Sequence, residues 1–212
     1  MSHPYWPLFD LRLTTSDLVL RVATEADQTA LSDRLPDDVE IDPSLPRYDL
    51  ADTRAARGAS LHQQYWRALG TWRPESWAIP FVVERAGEPI GLQALEGDDF
   101  ARLRTVDSFS LLVREVRGRG YGKQMRDAVL TLAFGPLGAV QAITSAWHDN
   151  HASLGVSKAL GYVANGERRQ PRGDHVDVMV HLRLTREAWL ARSDRPPVEI
   201  VGFEPCRPLF GL

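Results

Sequence analysis

The chain has 212 residues, enough for one core of ordinary size. At 43% hydrophobic and 25% charged it is globular in composition, which excludes a disordered or collagen-like polymer. Its 25 Lys+Arg against 28 Asp+Glu leave a net charge of −3, so no global basic field favours nucleic acid or anionic lipid, and an anion site must be local. There is no apolar run of membrane-spanning length and no signal-peptide pattern near Met1. The lone Cys206 excludes an internal disulfide and a cysteine-based zinc site, and a cytoplasmic protein with no membrane partner is expected.

Residues 1–13, with Tyr5, Trp6, Pro7 and Phe9, read as an irregular arm that packs on something. Residues 17–22 are a short strand, and Thr24 caps a helical stretch. Pro36, Pro43 and Pro46 with Asp37, Asp38, Glu40 and Asp42 predict an exposed acidic loop. A second helix over 52–69 places Ala55, Ala59, His62, Trp66 and Leu69 on one face, and Trp66, Trp72 and Trp77 crowd its end. Residues 77–84 and 89–95 form a hairpin, and 103–113 the next antiparallel strand. A glycine-rich stretch then opens a helix marked by Tyr121, Met125, Ala128, Val129, Leu132 and Ala133. A buried strand over 139–146 and a short helix over 150–160, stopped by Gly161-Tyr162, follow. Strands 163–168 and 175–183 then pair across the turn 169–174. Residues 184–190 make a helical turn or two, and the apolar run 198–203 leads into the tail.

The chain is organised around residues 113–123, where a strand meets a helix. Gly118, Gly120 and Gly122 permit close backbone approach at a helix N-terminus, where unpaired N–H groups and the dipole favour phosphate; Arg117, Arg119 and Lys123 add charge. The nucleotide-triphosphate loop is excluded, because Gly122-Lys123 is followed by Gln124 rather than Ser or Thr. The dinucleotide fingerprint is excluded because the spacing is Gly-x-Gly-x-Gly with no clear acidic ribose partner downstream. What remains is Arg/Gln-x-x-Gly-x-Gly/Ala, met by Arg117, Gly120 and Gly122, which resembles the coenzyme A pyrophosphate loop of the GCN5-related N-acetyltransferases, the GNAT family.

A second stretch, Asn150-His151-Ala152-Ser153 through Leu160-Gly161-Tyr162, resembles the segment of the GNAT subgroup that includes RimJ- and RimL-type ribosomal-protein acetyltransferases. The element order is also that of the family. The resemblance implies an α/β fold with a mixed, mostly antiparallel sheet of about seven strands flanked by helices. It implies one GNAT domain over 1–212, with a core at about 18–190, an aromatic arm at 1–17 and a tail at 191–212.

The implied activity is acyl-CoA-dependent N-acylation, by direct attack of a primary amine on the thioester in a ternary complex. The amine must lose a proton, the tetrahedral oxyanion needs N–H donors, and the departing thiolate leaves more easily with a proton donor nearby. The resemblance assigns the CoA contacts to Leu111, Leu112, Val113, Arg117, Gly118, Arg119, Gly120, Tyr121, Gly122, Lys123, Asn150 and Ser153. Backbone N–H groups around Leu111 and Leu112 would serve the oxyanion. Ser153 takes the place of a thiolate-facing hydroxyl, against a plain helix-cap role, since no tyrosine lies between His148 and Gly161. Asp107 is the candidate base, against a solvated strand-end acid, and His148 is the weaker alternative. His148 and His151 lack a third compact ligand, so no metal is expected.

Trp66, Trp72, Trp77 and the turn 169–174 are the expected acceptor walls, with core or dimer packing as the alternative for the tryptophans. The apolar arm and tail are expected to cover a neighbouring subunit or the acceptor groove, in a homodimer. They resemble those of actinobacterial GNAT relatives for which succinyl-CoA is a candidate donor; acetyl-CoA is the default, and a succinyl carboxylate would need a cation such as Arg85, Arg102, Arg104 or Arg172. The acceptor is a small-molecule amine, a protein N-terminus or a lysine. The competing reading is a catalytically silent CoA-binding sensor or partner-binding module.

Overall fold

The computed structural model of the chain describes residues 3–212 apart from 37, 40–49 and 51. In chain order the strands are β1 (Arg12–Thr14), β2 (Val19–Val22), β3 (Trp77–Arg85), β4 (Glu88–Gly97), β5 (Thr105–Leu112), β6 (Gln141–Trp147), β7 (Val163–Arg172), β8 (His175–Thr185) and β9 (Glu199–Val201). The helices are α1 (Glu25–Ser32), α2 (Thr53–Gly70), α3 (Phe100–Leu103), α4 (Tyr121–Phe134), α5 (His151–Ala159) and α6 (Arg186–Leu190), and 3-10 turns occupy Pro7–Asp10, Arg114–Val116 and Glu204–Phe210. Among the described residues the strands form one sheet of nine, in the order β7-β8-β6-β5-β4-β3-β2-β1-β9. Only β5 and β6 pair in parallel; every other neighbouring pair is antiparallel.

Nine strands exceed the about seven expected because the arm and the tail each contribute one. The arm is irregular through the 3-10 turn at Pro7–Asp10 but ends in the sheet: β1 pairs with β2 on one side and β9 on the other, Leu13 standing opposite Leu20 and Ile200. Its leucines are spent inside the chain, with Leu8, Leu11 and Leu13 fully buried beside Phe203, Cys206 and Phe210, while Trp6 and Phe9 are half-buried. The anchors of arm and tail thus complete this chain's own core, and Phe210 of the tail packs against Trp77 at 4.9 Å, while Tyr5 and Val201 stay exposed. Burial raises the Cys206 thiol to about 11, and it donates to Gly202 O at 3.1 Å, so it is an inert packing group. Leu103, expected in a strand, ends α3 instead, and Arg104 (φ 46°) turns the chain into β5.

Gly202 marks where the tail meets the arm. Its φ is +80°, and a Cβ there would lie 2.4 Å from Asp10 O. Gly202→Ala is expected to cost about 2 kcal/mol, read as a lower denaturant midpoint, by forcing β9 off β1.

Helix α4 supplies the central packing, with Met125, Ala128, Val129, Leu130, Leu132, Ala133 and Phe134 at zero exposure. Helix α1 begins in a capping box in which Thr24 and Asp27 exchange bonds, and α2 is capped by Asp52. Burial alone would raise the Asp27 pKa, but two 2.7 Å bonds from Arg21 and one from the Thr24 amide more than offset it and hold the carboxyl below its usual range. A depressed folded-state pKa gives stability that is present above the unfolded value of about 3.9 and lost as pH falls through the folded one. Asp27→Asn is expected to cost about 2 kcal/mol at neutral pH and progressively less below about pH 4, measured by denaturation at both pH values.

Candidate active site

The glycine stretch leaves β5 through one 3-10 turn and enters α4 at Gly120. Gly118 (φ +74°) and Gly120 (φ +84°) both occupy the left-handed region, and a Cβ on either would meet open space. Gly120 caps α4 with no side chain, while the Lys123 and Gln124 amides turn back to its carbonyl. Among the described residues no backbone carbonyl accepts from the amides of 118–122. A row of free N–H groups at the positive end of a helix fits a pyrophosphate.

Two of the cations around this row, Arg117 and Lys123, already have partners. Arg117 donates to Leu112 O at 3.1 Å and to Asp38 at 2.7 Å, holding the Asp38 carboxyl below the usual range. Lys123 reaches Asp194 at 2.9 Å and Asp127 at 3.7 Å. Arg119 is exposed, and Tyr121 is buried with Arg85 over its ring at 5.5 Å. Of the expected acidic loop only Asp38 can be placed; Asp37, Glu40 and Asp42 lie outside the described residues.

Strands β5 and β6 hold together for only two residue pairs, Thr105–Gln141 and Val106–Ala142, and then diverge. Backbone parity decides which β5 groups face the gap. The Val113 amide donates to Ile90 O, so Val113 and, by alternation, Leu111 turn toward β4. Leu112 and Ser110 therefore present their amides to the gap. Of the amides expected around Leu111 and Leu112 to serve an oxyanion, that of Leu112 faces the gap and that of Leu111 is turned toward β4, while Ser110 presents a second gap-facing amide that side-chain patterning does not reveal.

On the face opposite α4, a groove of about 470 Å³ runs from α2 to the mouth of the gap. Asp107 lies on its wall, immediately past the last β5–β6 pair and opposite Glu96 of β4. Its Oδ1 accepts from the Ser108 amide at 2.6 Å. Asp98, Tyr65, Trp77 and Phe109 also line this groove. Trp66 and the turn 169–174 are not among the lining residues, and Trp72 sits behind it, stacked on Trp77 and donating to Leu209 O at 2.8 Å. Of the three expected tryptophan walls only Trp77 borders the groove.

At the far side of the gap Asn150 caps α5, its Oδ1 accepting from the Ser153 amide at 3.0 Å. Ser153 is half-buried in the first turn. His148 Nδ1 lies 3.0 Å from Asp177, which Arg172 also holds at 2.7 Å. A carboxylate only accepts, so Nδ1 keeps a proton and Nε2 is the one basic position. His148 does not line the groove that holds Asp107. Among the described residues no cluster of His, Cys, Asp or Glu could hold a metal, and no helix is long and apolar enough to cross a membrane.

Residues 17–163, more than half of the chain, match the family described as Acetyltransferase (GNAT) domain. The chain belongs to the GNAT family. Solved GNAT-like structures agree in fold at low identity. RimJ of Mycobacterium smegmatis in complex with CoA-disulfide is 18% identical, with a TM-score of 0.66 over 85% of this chain and 90% of that one. Spermidine N-acetyltransferase from Vibrio cholerae, in complex with CoA and spermine, is 17% identical, with a TM-score of 0.61 over 82% and 99%. A GNAT-family acetyltransferase from Bacillus anthracis is 14% identical, with a TM-score of 0.63 over 83% and 99%. The unpaired amides of 118–122 and the open space at Gly118 and Gly120 are compatible with the CoA that GNAT enzymes use.

Proposed function

We propose that this GNAT protein transfers an acyl group from acyl-CoA to the primary amine of a positively charged acceptor held in the groove. The observation that carries the reading is one continuous layout: unpaired helix-terminal amides, then the β5–β6 gap with the Leu112 amide facing it, then Asp107 on the groove wall. The donor brings an activated thioester carbonyl; the chain's own groups orient it and move protons. Glu96, Asp98 and Asp107 outnumber Arg67, the one lining cation among the described residues, and with Tyr65, Trp77 and Phe109 beside them favour a cationic amine with an apolar body. Asp107 takes the ammonium proton, the Leu112 amide faces the oxyanion, and Ser153 donates toward the departing sulfur. Residues 1–212 act as one catalytic unit, with the tail braced against the groove through Phe210 on Trp77 at 4.9 Å.

Free-thiol release from acetyl-CoA and from succinyl-CoA, against a panel of amines and N-terminal peptides, tests this directly. Acetyl-CoA is the expected donor, with succinyl-CoA the second. Acceptor-dependent release is expected, fastest with cationic amines. Binding of both donors without release by any amine would favour a silent CoA-binding module.

Ser153 can be separated from its cap. The Asn150 bond uses the Ser153 amide, not its hydroxyl, so Ser153→Ala is expected to change stability by less than about 0.5 kcal/mol while lowering kcat about tenfold. Unchanged kcat would leave Ser153 as a helix residue only.

A further inference from the structure

Behind the gap, on its α4 side, lies a buried cation. Arg126 is 3% exposed and forms no ion pair among the described residues. Its guanidinium donates to Ser110 Oγ of β5 at 2.6 Å and to Thr144 Oγ1 of β6 at 3.4 Å, and Thr144 in turn donates to Ser108 O at 3.3 Å. These three bonds bridge β5 and β6 just where their backbone ladder has ended. The Tyr162 hydroxyl lies beside Arg126 and Ser108 without a well-formed bond, and Arg126 Nε, Ser108 Oγ and Tyr162 Oη are buried without partners. A buried charge with only hydroxyl partners costs the fold stability, and an apolar side chain of similar length would fill the space at lower cost.

We propose that Arg126 is a positioning residue for acyl transfer: it fixes β5 against β6 through Ser110 and Thr144 and keeps positive charge behind the gap in which negative charge develops. Neutral hydroxyls orient the guanidinium without cancelling its charge, whereas a carboxylate partner would. The titratable group beside it is Tyr162, following α5, which in turn feels Asp107 of β5; burial raises the Tyr162 pKa, so it stays neutral at physiological pH.

The proposal rests on the acyltransferase reading, and Arg126→Met tests it with a readout that separates the two. A purely structural Arg126 predicts a lower melting temperature in Arg126→Met with kcat and thiol acidity unchanged. The positioning role predicts a melting temperature that is kept or raised, donor affinity within about threefold, and kcat lower by at least about tenfold. It also predicts that the thiol pKa of bound CoA, followed by thiolate absorbance, rises by about one unit. Arg126→Lys, which keeps the charge, is expected to restore most of the rate and the thiol acidity. An unshifted thiol pKa in Arg126→Met overturns the proposal whether or not an acceptor is known. A shifted pKa in a protein that turns over no amine counts against the acyltransferase reading instead. Should Arg126→Met fail to fold, Ser110→Ala carries the test, since it removes only the 2.6 Å anchor: kcat is expected to fall at least about threefold at unchanged melting temperature, and unchanged kcat overturns the proposal.

Discussion

Gly120→Val is expected to weaken acyl-CoA binding by at least about a hundredfold while costing the fold only about 1–2 kcal/mol. The fold cost is small because a Cβ at this position meets no protein atom, leaving the strain of a β-branched residue at φ +84° as the main penalty. Binding suffers more because the same open space lies over the free amides of 118–122, which the new side chain would screen from an anion. Calorimetric titration with CoA beside a denaturation curve separates the two effects. CoA affinity within about threefold of the parent, in a folded variant, would remove the pyrophosphate role from this loop. Gly91 and Gly202 provide the contrast: a Cβ there would lie 2.2 Å from Leu111 O and 2.4 Å from Asp10 O, so those glycines serve packing and their replacement should damage the fold first.

Asp107→Asn is expected to lower kcat by about a hundredfold or more with the donor KM unchanged. Asparagine preserves the size and the oxygen that accepts from the Ser108 amide, so β5 should keep its course, but the amide cannot take a proton from the acceptor ammonium. A drop confined to kcat, together with loss of the acidic limb of its pH profile, identifies the proton acceptor. An unchanged profile would reduce Asp107 to a polar lining residue and return attention to His148.

The glycine loop was legible in the sequence because its chemistry is local: torsions, spacing and neighbouring cations all fall within a dozen residues. The chain order of strands and helices was legible for the same reason, each element carrying its own period. Features that depend on distant partners were not. Trp72 looked like a groove wall, yet its indole bonds Leu209, 137 positions away, and nothing near Trp72 hints at that. Strands β1 and β9 are three residues each, too short to show a period, and exist because they find one another across nearly the whole chain. In the sequence Arg126 is one polar residue among the apolar positions of a helix, with nothing to set it apart; its burial beside β5 and β6 depends on contacts that no single segment encodes. Leu111 and Leu112 differ in the direction of their amides through backbone parity, which only the register with β4 reveals.

If the loop takes CoA as proposed, the carboxylates on its cations make donor capture an exchange rather than a simple addition. Asp38 on Arg117 and Asp194 on Lys123 are exposed partners, with side chains 53% and 59% accessible, and such pairs contribute about 0–1 kcal/mol each. A pyrophosphate that takes Arg117 and Lys123 would leave Asp38 to Arg114, 3.8 Å away, and Asp194 to Arg192, at 3.0 Å, so neither acid is stranded and the exchange costs little. The affinity for CoA should accordingly depend less steeply on ionic strength than two bare cations would dictate, since each new contact replaces an old one. Arrival of the donor would also be registered at two distant places at once, at Asp38 and, in the tail, at Asp194.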